Sequence, residues 1–288
     1  MNAPSAATLT VRAPASSANL GAGFDVLAMA LDLYADVGTG AAPEGAQVVD
    51  RHHPARSIFE RFGGDGDVWL RTNIPMARGL GFSGAVRSAA AALAVVQCAG
   101  GDEGALDTEA DRLLDGVTAD EGHGDNAAAS LRGGVVAFVD GAVVPVPVGP
   151  VLGSAAFVAW VPDVTTSTDR SRSTLDHRVD RADAVANIGR SVQFALAFAH
   201  DDPELLRSAT IDRLHQDARL PMIPGAAEAM DAGLAAGAWC SWLSGSGPTI
   251  GFLAAADVAD RVASTLPEAG HAKILGIDPD GVRLRARP

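Results

Sequence analysis

The stretch RGLGFSGAVRSAAAAL, residues 78–93, places three glycines and a serine directly before a long run of small residues. The run reaches Ala99 and is closed by two glycines, so it predicts a helix over Ser83–Ala99. An apolar segment before it, DVWLRTNI (67–74), predicts a strand. A strand, a glycine loop and a helix start together leave backbone N–H groups free at the positive end of the helix dipole. The loop is therefore either an anion-binding site or a tight structural turn.

Two common phosphate-binding patterns do not describe this loop. No GK[ST] follows its glycines, as a Walker loop requires. The loop also does not open a βαβ unit, as the dinucleotide-binding pattern does.

Two further loops carry glycines and polar residues. In PASSANLGAGFDVLAMAL (14–31), Asn19 and Asp25 lie around a glycine-rich bend that an apolar run follows. In WLSGSGPTIGF (242–252), residues 244–248 form a tight loop between two apolar strands. Asx-type turn chemistry explains the first loop and a hairpin connection explains the second equally well when each is taken alone.

The composition is that of a folded protein that acts on small molecules. The 288 residues are 48% hydrophobic, but no apolar stretch approaches the ~20 residues of a membrane span. The N-terminal segment lacks a basic start followed by an apolar block, so we expect a cytoplasmic protein. A net charge of −13 without a basic run argues against a nucleic-acid partner. Cys98 and Cys240 lack a second ligand at metal spacing and are expected to be core residues.

The order of predicted elements indicates an α+β protein with a boundary near residue 150. Before it, TLTVRAPA (8–15) reads as a strand and GGVVAFVDGAVVPVPV (133–148) as a hairpin with a tight Asp140-Gly141 turn. After it, strands and helices follow one another, with helices expected around 182–199 and 226–236. We therefore expect two domains, 1–150 and 151–288.

The three loops, in this order and at these intervals, resemble the three signature motifs of the GHMP kinases. PASSANLGAGFDVLAMAL and LSGSGPT are similar to the first and last motifs of homoserine kinases in particular. Between them, DGVTADEGHGDNAAASLRGG (115–134) resembles the family segment in which an acidic residue precedes His-x-Asp-Asn. The resemblance extends from about Val11 to about Leu253.

This resemblance implies both a fold and a reaction. The fold is the two-domain GHMP kinase fold, with an N-terminal ribosomal-protein-like α/β domain and a C-terminal ferredoxin-like α+β domain. The reaction is transfer of the γ-phosphoryl group of ATP, with Mg²⁺, to the hydroxyl of L-homoserine in threonine biosynthesis. A small-molecule substrate is implied, nucleic acid and membrane partners are not, and a homodimer is a possible assembly.

The resemblance also assigns the nucleotide and metal sites. The residues implied to bind the nucleotide are Arg78, Gly79, Leu80, Gly81, Phe82, Ser83 and Gly84. Ser83 is also implied as a magnesium ligand. Asp115 lies ten residues before Asp125, at the place where the family usually has a metal-binding glutamate. The alternative for Asp115 is a solvated residue at a helix end.

For the acceptor, the resemblance assigns a clamp suited to an amino acid. The residues implied to bind substrate are Asn19, Asp25, His123, Thr168, Arg172 and Arg219, and those implied to act in catalysis are Asp125, Asn126 and Arg172. A carboxylate suits the substrate ammonium, and guanidinium groups suit its carboxylate. His123 could equally be a structural residue. No lysine lies in these segments. The resemblance implies that the hydroxyl attacks without a strong dedicated base, and Asp125 is the fallback candidate for a base.

Two departures from the family pattern keep other functions open. The loop has Phe82 where the family has a serine, and residues 52–62 replace the segment that usually helps to hold the adenine. The phenyl ring either packs behind the loop or reshapes the nucleotide site. A kinase of another small alcohol and a non-catalytic binding protein of the same fold remain as alternatives.

Overall fold

A computed structural model describes residues 8–166 and 168–285 of the chain. Its larger sheet is antiparallel and is built around β1 and the long β2, which pairs with β4 near one end and with β5 near the other. The order is β11-β1-β2-β4-β3, with β5 beside β2 and β6 beside β5. The strands are β1 (Thr10–Ala18), β2 (Leu27–Thr39), β3 (Gln47–Val48), β4 (Val68–Thr72), β5 (Val135–Val139), β6 (Ala142–Val146) and β11 (Arg283–Leu284).

The smaller sheet follows residue 150 and is also antiparallel, in the order β10-β7-β9-β8. Its strands are β7 (Ala156–Pro162), β8 (Cys240–Leu243), β9 (Ile250–Ala254) and β10 (Gly270–Leu275). β11 then returns to the larger sheet and pairs with β1. The α+β class is confirmed, whereas the division into domains at residue 150 stays a prediction.

Twelve helices are present in the described residues, together with short 3₁₀ turns at Pro203–Leu205, Leu220–Met222 and Ala256–Val258. The helices of the first half are α1 (Pro54–Arg61), α2 (Phe82–Cys98), α3 (Ala105–Thr108), α4 (Ala110–Glu121) and α5 (Asp125–Arg132). Those of the second half are α6 (Pro150–Gly153), α7 (Thr168–Ser173), α8 (Arg181–His200), α9 (Leu206–Ala209), α10 (Gln216–Arg219), α11 (Ala226–Ala235) and α12 (Ala259–Ser264).

The central helix α2 connects the glycine loop to the core. Residues 89–94 of this helix are fully buried, and all but Leu93 are alanine. Alanine side chains let the backbones of neighbouring elements approach closely, and α2 packs on β1, β2, α1, α4 and α5. The loop at its start is therefore held by a helix of which twelve residues are buried.

The predicted central helix, the strands and the 133–148 hairpin are confirmed. The hairpin turns at Asp140 and Gly141, both with positive φ, as the sequence predicts. Two elements were missed. β2 was read only as an apolar run, and the segment at 52–62 forms α1, whose Ile58 and Phe59 are buried against α2.

Within residues 8–166 and 168–285, no helix combines the length and the apolar character needed to cross a membrane.

Candidate active site

The three motif loops meet around one cavity of about 440 Å³. The glycine loop at residues 78–84 forms one part of its wall, and residues 245–247 of the third motif form another. Asn19 and Asp25 come from the first motif. The segment 123–126 and two arginines, Arg172 and Arg219, complete the predicted residues that the fold brings together here.

The glycines of the phosphate-type loop are required by close backbone packing. Gly79 and Gly81 both have left-handed φ values, of 72° and 65°. A Cβ atom on Gly81 would lie 2.0 Å from the Ser16 hydroxyl oxygen, and one on Gly79 would lie 2.3 Å from the Ser244 carbonyl oxygen. The loop is thus pressed between the end of β1 and the third motif.

Hydrogen bonds hold the loop in this position. The Ser244 hydroxyl donates to the Gly79 carbonyl at 2.6 Å, and the Ser16 N–H donates to the Leu80 carbonyl at 3.3 Å. The Arg78 guanidinium donates to the carbonyl oxygens of Pro162 and Val164, which joins the loop to the end of β7.

The start of α2 presents donors to the cavity. Gly81 is the N-cap residue and supplies no side-chain acceptor, so the first N–H groups of α2 have no partner within the helix. Ser83 is exposed on this first turn and lines the cavity. Leu80, by contrast, is buried in the core, so only its backbone can contribute to binding a ligand.

Phe82 combines both expected placements. Its half-buried ring packs against the main hydrophobic core and also lines the cavity. Its effect on nucleotide binding stays a prediction. Residues 52–62, in contrast, do not line the cavity, whereas residues 75–77 do.

The expectation that Asp115 joins Ser83 at a metal is wrong. Asp115 is exposed on α4 and lines a separate surface recess with Arg61 and Arg112. Glu121, six residues later on the same helix, lines the cavity instead. Six residues rotate the side-chain direction by about 120° on an α-helix, so the two carboxylates cannot face the same site.

Glu121 is a buried acidic group beside a cation. Its side chain is only 4% exposed, and Arg87 of α2 donates from Nη1 to its Oε1 at 2.8 Å. Glu121 is not among the predicted site residues, because the resemblance placed the acidic residue ten positions before Asp125, at Asp115. The place of Glu121 directly before Gly122-His123 was the signal that could have identified it.

The donors present fit a magnesium ion that phosphate oxygens also hold. A hydroxyl (Ser83) and a carboxylate (Glu121) are the hard oxygen ligands that Mg²⁺ prefers. Across the described ranges, no group of three or more His, Cys, Asp or Glu side chains could hold a metal ion. Protein sites for Mg²⁺ in phosphoryl transfer commonly use one or two side chains together with phosphates.

Asp125 begins α5 and is buried. Its Oδ1 accepts hydrogen bonds from His123 Nδ1 at 2.9 Å and from the Asn126 N–H at 2.8 Å. The hydrogen bond to Asp125, and then the charges of Asp125 and Glu121, raise the pKa of His123 despite its burial. Asn126 Oδ1 accepts from the Ser16 hydroxyl at 2.8 Å, which connects this segment to β1.

Asp25 and Arg172 form a two-point ion pair across the cavity wall. Arg172 Nη1 and Nη2 donate to the two Asp25 carboxylate oxygens at 2.9 and 2.7 Å. Asn19 positions this carboxylate, since its Oδ1 accepts from the Asp25 N–H at 3.0 Å. The Asn19 amide nitrogen donates to the Gly245 carbonyl at 2.8 Å, so this side chain also joins the first motif to the third.

Arg219 is a buried cation beside the aromatic ring of Phe24. Arg219 was a predicted site residue, and Phe24 was not. Its guanidinium carbon lies 5.3 Å from the centre of the Phe24 ring, and that of Arg172 lies 5.8 Å from it. Burial, and then the charge of Arg172, lowers the pKa of Arg219 to about 10, so it is still charged at neutral pH. His215 stacks on Phe24, and burial lowers the pKa of its imidazole.

The short helix α7 carries Arg172 and is tied to the third motif. The Ser171 hydroxyl donates to the Ser246 carbonyl at 3.0 Å, and the Thr166 hydroxyl donates to the Gly247 carbonyl at 2.6 Å. Thr168 begins this helix, but its side chain lies outside the described residues, and its predicted contact with substrate stays a prediction.

Comparison with known proteins agrees with the motifs. Residues 194–272 match the family described as GHMP kinases C terminal. The homoserine kinase of Streptomyces avermitilis is 37% identical over 97% of this chain and 96% of that protein.

Solved structures share the fold over nearly the whole chain. The crystal structure of homoserine kinase from Cytophaga hutchinsonii has a TM-score of 0.83 at 22% identity and covers 99% of both chains. A more distant structure, of MDDEF in complex with MVAPP, AMPPCP and magnesium, has a TM-score of 0.64 at 14% identity and covers 97% of this chain and 99% of that one. With three signature loops around one cavity and this identity over its length, the chain belongs to the homoserine kinase family of the GHMP kinases.

Proposed function

We propose that the protein transfers the γ-phosphoryl group of ATP to the hydroxyl of L-homoserine, forming O-phospho-L-homoserine and ADP. One observation carries the proposal: a single cavity has an anion-accepting helix start at one side and a charged clamp of Asp25, Arg172 and Arg219 at another. An α-amino acid with a side-chain hydroxyl offers the charges that this clamp recognises.

The clamp reads the two charged groups of the amino acid. The substrate ammonium suits the Asp25 carboxylate, and the substrate carboxylate suits the paired donors of Arg172 and Arg219. Without substrate, Asp25 and Arg172 form an ion pair with each other. Arg172 then takes the role of the substrate ammonium, and Asp25 takes the role of the substrate carboxylate. Substrate binding replaces this one ion pair by two, one to the substrate ammonium and one to the substrate carboxylate. The site therefore favours a zwitterion over an uncharged alcohol.

The glycine loop holds the phosphates. The free N–H groups at the start of α2 point to one region, and the helix dipole adds positive potential there. Ser83 and Glu121 would hold Mg²⁺, which neutralises phosphate charge when it is bound.

The reaction itself needs alignment more than covalent chemistry. A bond forms between the homoserine hydroxyl oxygen and the γ-phosphorus, the bond from that phosphorus to the β,γ-bridging oxygen breaks, and the hydroxyl loses its proton. The described lining of the cavity contains no lysine that could activate the hydroxyl. Asp125 is the carboxylate proposed to accept the proton, and its Oδ1 is already oriented by His123 and Asn126.

The test is product formation by the purified protein with ATP, Mg²⁺ and a panel of homoserine, threonine, pantoate, shikimate and mevalonate. We expect ADP and a phosphorylated product with homoserine only. Turnover of another alcohol in its place would contradict the substrate assignment, and no turnover with any would favour a non-catalytic binding protein.

A further inference from the structure

Arg87 is a charged residue of the cavity that the proposed reaction does not yet use. It lies on α2 four residues after Ser83, and so one turn further along the same face of the helix. Its side chain lines the cavity and is 18% exposed. Its Nη1 donates to Glu121 Oε1 at 2.8 Å.

The hydrogen bonding of this guanidinium is incomplete. Its Nε is buried and has no hydrogen-bond partner among the residues that the structure describes. Asp120 Oδ2 lies 3.9 Å from this Nε, and Asp120 is itself bound by Arg61 at 2.6 and 3.0 Å. A guanidinium has five N–H donors, so Arg87 has donors to spare for a further acceptor.

The nucleotide side of the cavity otherwise has little free positive charge. The Arg78 guanidinium is committed to two backbone carbonyls, and Arg172 and Arg219 lie with Asp25 in the substrate clamp. The one lysine of the chain, Lys273, belongs to β10 and does not line the cavity. Arg87 is thus the cation on α2, the helix whose N-terminus is proposed to bind the phosphates.

The pairing of Arg87 with Glu121 competes with metal binding. A guanidinium at 2.8 Å from a carboxylate oxygen uses one of that oxygen's lone pairs and offsets the negative charge that would attract a metal, and its own charge repels the metal. An arginine also grips phosphate oxygens with paired donors. Both groups therefore have a better partner once metal and triphosphate are present.

We propose that Arg87 is a phosphate-binding residue that exchanges partners with the metal. Before nucleotide binds, Arg87 neutralises the buried Glu121 carboxylate. When ATP and Mg²⁺ enter, Glu121 binds the metal and the Arg87 guanidinium turns to the phosphates. The exchange makes metal and triphosphate bind cooperatively. The metal releases Arg87 from Glu121 for the phosphates, and the phosphates release Glu121 from Arg87 for the metal. This inference rests on the proposed function, since it takes Glu121 as the metal ligand.

The first test measures metal binding without nucleotide. We compare wild type, Arg87→Met and Arg112→Met by titration with Mn²⁺ followed by electron paramagnetic resonance. Arg112 is a matched control on α4, paired with Glu109 on the exposed surface and outside the cavity. Loss of the competing guanidinium should tighten Mn²⁺ binding about tenfold in Arg87→Met and leave the control unchanged. Equal or weaker Mn²⁺ binding in Arg87→Met would show that Arg87 only holds Glu121 in place and would overturn the proposal.

The second test measures nucleotide binding without metal, by calorimetry in the presence of a chelator. Arg87→Met should weaken ATP binding about tenfold and AMP binding much less, because AMP lacks the β- and γ-phosphates. Glu121→Gln, which releases Arg87, should tighten metal-free ATP binding. If Arg87→Met does not fold, Arg87→Lys and Glu121→Gln decide the same question. Unchanged ATP binding in these variants would contradict the phosphate role.

The proposed function and this inference fail in different ways. Phosphorylation of homoserine by the wild type tests the first and does not depend on any variant. A wild type that phosphorylates homoserine, combined with an Arg87→Met protein whose Mn²⁺ affinity is unchanged, would refute the exchange alone. An Mg²⁺ requirement that is the same in wild type and Glu121→Gln would refute both the assignment of Glu121 and the exchange.

Discussion

Arg172 and Asp25, 147 residues apart in the chain, are joined by two hydrogen bonds of 2.9 and 2.7 Å in the wall of the cavity. This pair brings α7 to the loop after β1 and places a cation and an anion side by side. Each group is one half of what an amino-acid substrate must find. The relationship therefore makes the substrate clamp the most direct part of the site to test.

Replacement of Arg172 by alanine should raise the KM for homoserine and leave ATP affinity nearly unchanged. A lost hydrogen bond to a charged group costs roughly 1.5 to 3 kcal/mol, which corresponds to about 10- to 150-fold in KM. Arg219→Ala should do the same, with an added loss of thermal stability because Arg219 is only 2% exposed. Steady-state kinetics with varied homoserine check this, with the exposed Arg181→Ala as control. An unchanged KM for homoserine in both variants would show that neither arginine binds the substrate.

The correction from Asp115 to Glu121 can be tested by a matched pair on one helix. Glu121→Gln should lower kcat by at least about tenfold and raise the Mg²⁺ concentration needed for half-maximal rate, because the carboxylate ligand is lost. Asp115→Asn should behave like wild type, since that side chain lies outside the cavity. The opposite ranking of the two variants would restore the assignment made from spacing.

Gly81→Ala should destabilise the loop far more than Gly45→Ala. Both glycines have left-handed backbones, with φ of 65° and 76°, so the conformational cost of about 1 to 2 kcal/mol is shared. Only at Gly81 would the new methyl group collide with the Ser16 hydroxyl, whereas nothing lies within 4 Å of that position at Gly45. Thermal unfolding measures the difference, and equal losses in the two variants would mean that the loop can move away from β1.

Phe82→Ser should lower the melting temperature and change nucleotide binding together. The ring packs on the core, so its loss removes roughly 1 to 2 kcal/mol of hydrophobic stabilisation for a half-buried side chain. It also lines the cavity, and we predict that the serine variant binds ATP more tightly and more selectively over GTP and CTP. Unchanged affinities for all three nucleotides with a lower melting temperature would limit Phe82 to packing.

The His123–Asp125 pair should make stability depend on pH in a defined direction. The folded-state pKa of His123 is raised, chiefly by the hydrogen bond to Asp125. The contribution of this pair to the free energy of unfolding is therefore fully present below the unfolded-state pKa of about 6.5, and it is lost as the pH rises through the folded-state pKa. The difference in unfolding free energy between wild type and His123→Gln should be larger at pH 5.5 than at pH 9. The excess at pH 5.5 should shrink in an Asp125→Asn background, because the hydrogen bond to Asp125 is the main cause that raises the pKa. A difference that grows with pH in the otherwise unchanged chain would contradict the pairing.

Local patterns predicted the elements that surround the site. The helix after the glycine loop and the Asp140-Gly141 hairpin follow from short-range periodicity and turn chemistry. Residues matched through the motifs, such as Asp25, Arg172 and Arg219, also reach the cavity. The helix and the hairpin depend on residues that are close in sequence, so one sequence suffices to infer them, whereas the three clamp residues are implied by the resemblance to homoserine kinases.

The sequence by itself determined the α+β class, the three loops and the charged groups of the clamp. Only the tertiary structure decided that Glu121 and not Asp115 faces the cavity, that residues 52–62 pack on α2 outside it, and that Arg87 binds Glu121. The physical reason is that the spacing of residues along the chain does not determine how a helix is rotated about its own axis relative to its neighbours. That rotation is set when α4 packs its buried leucines and Val117 into the core, and it determines which side chains meet.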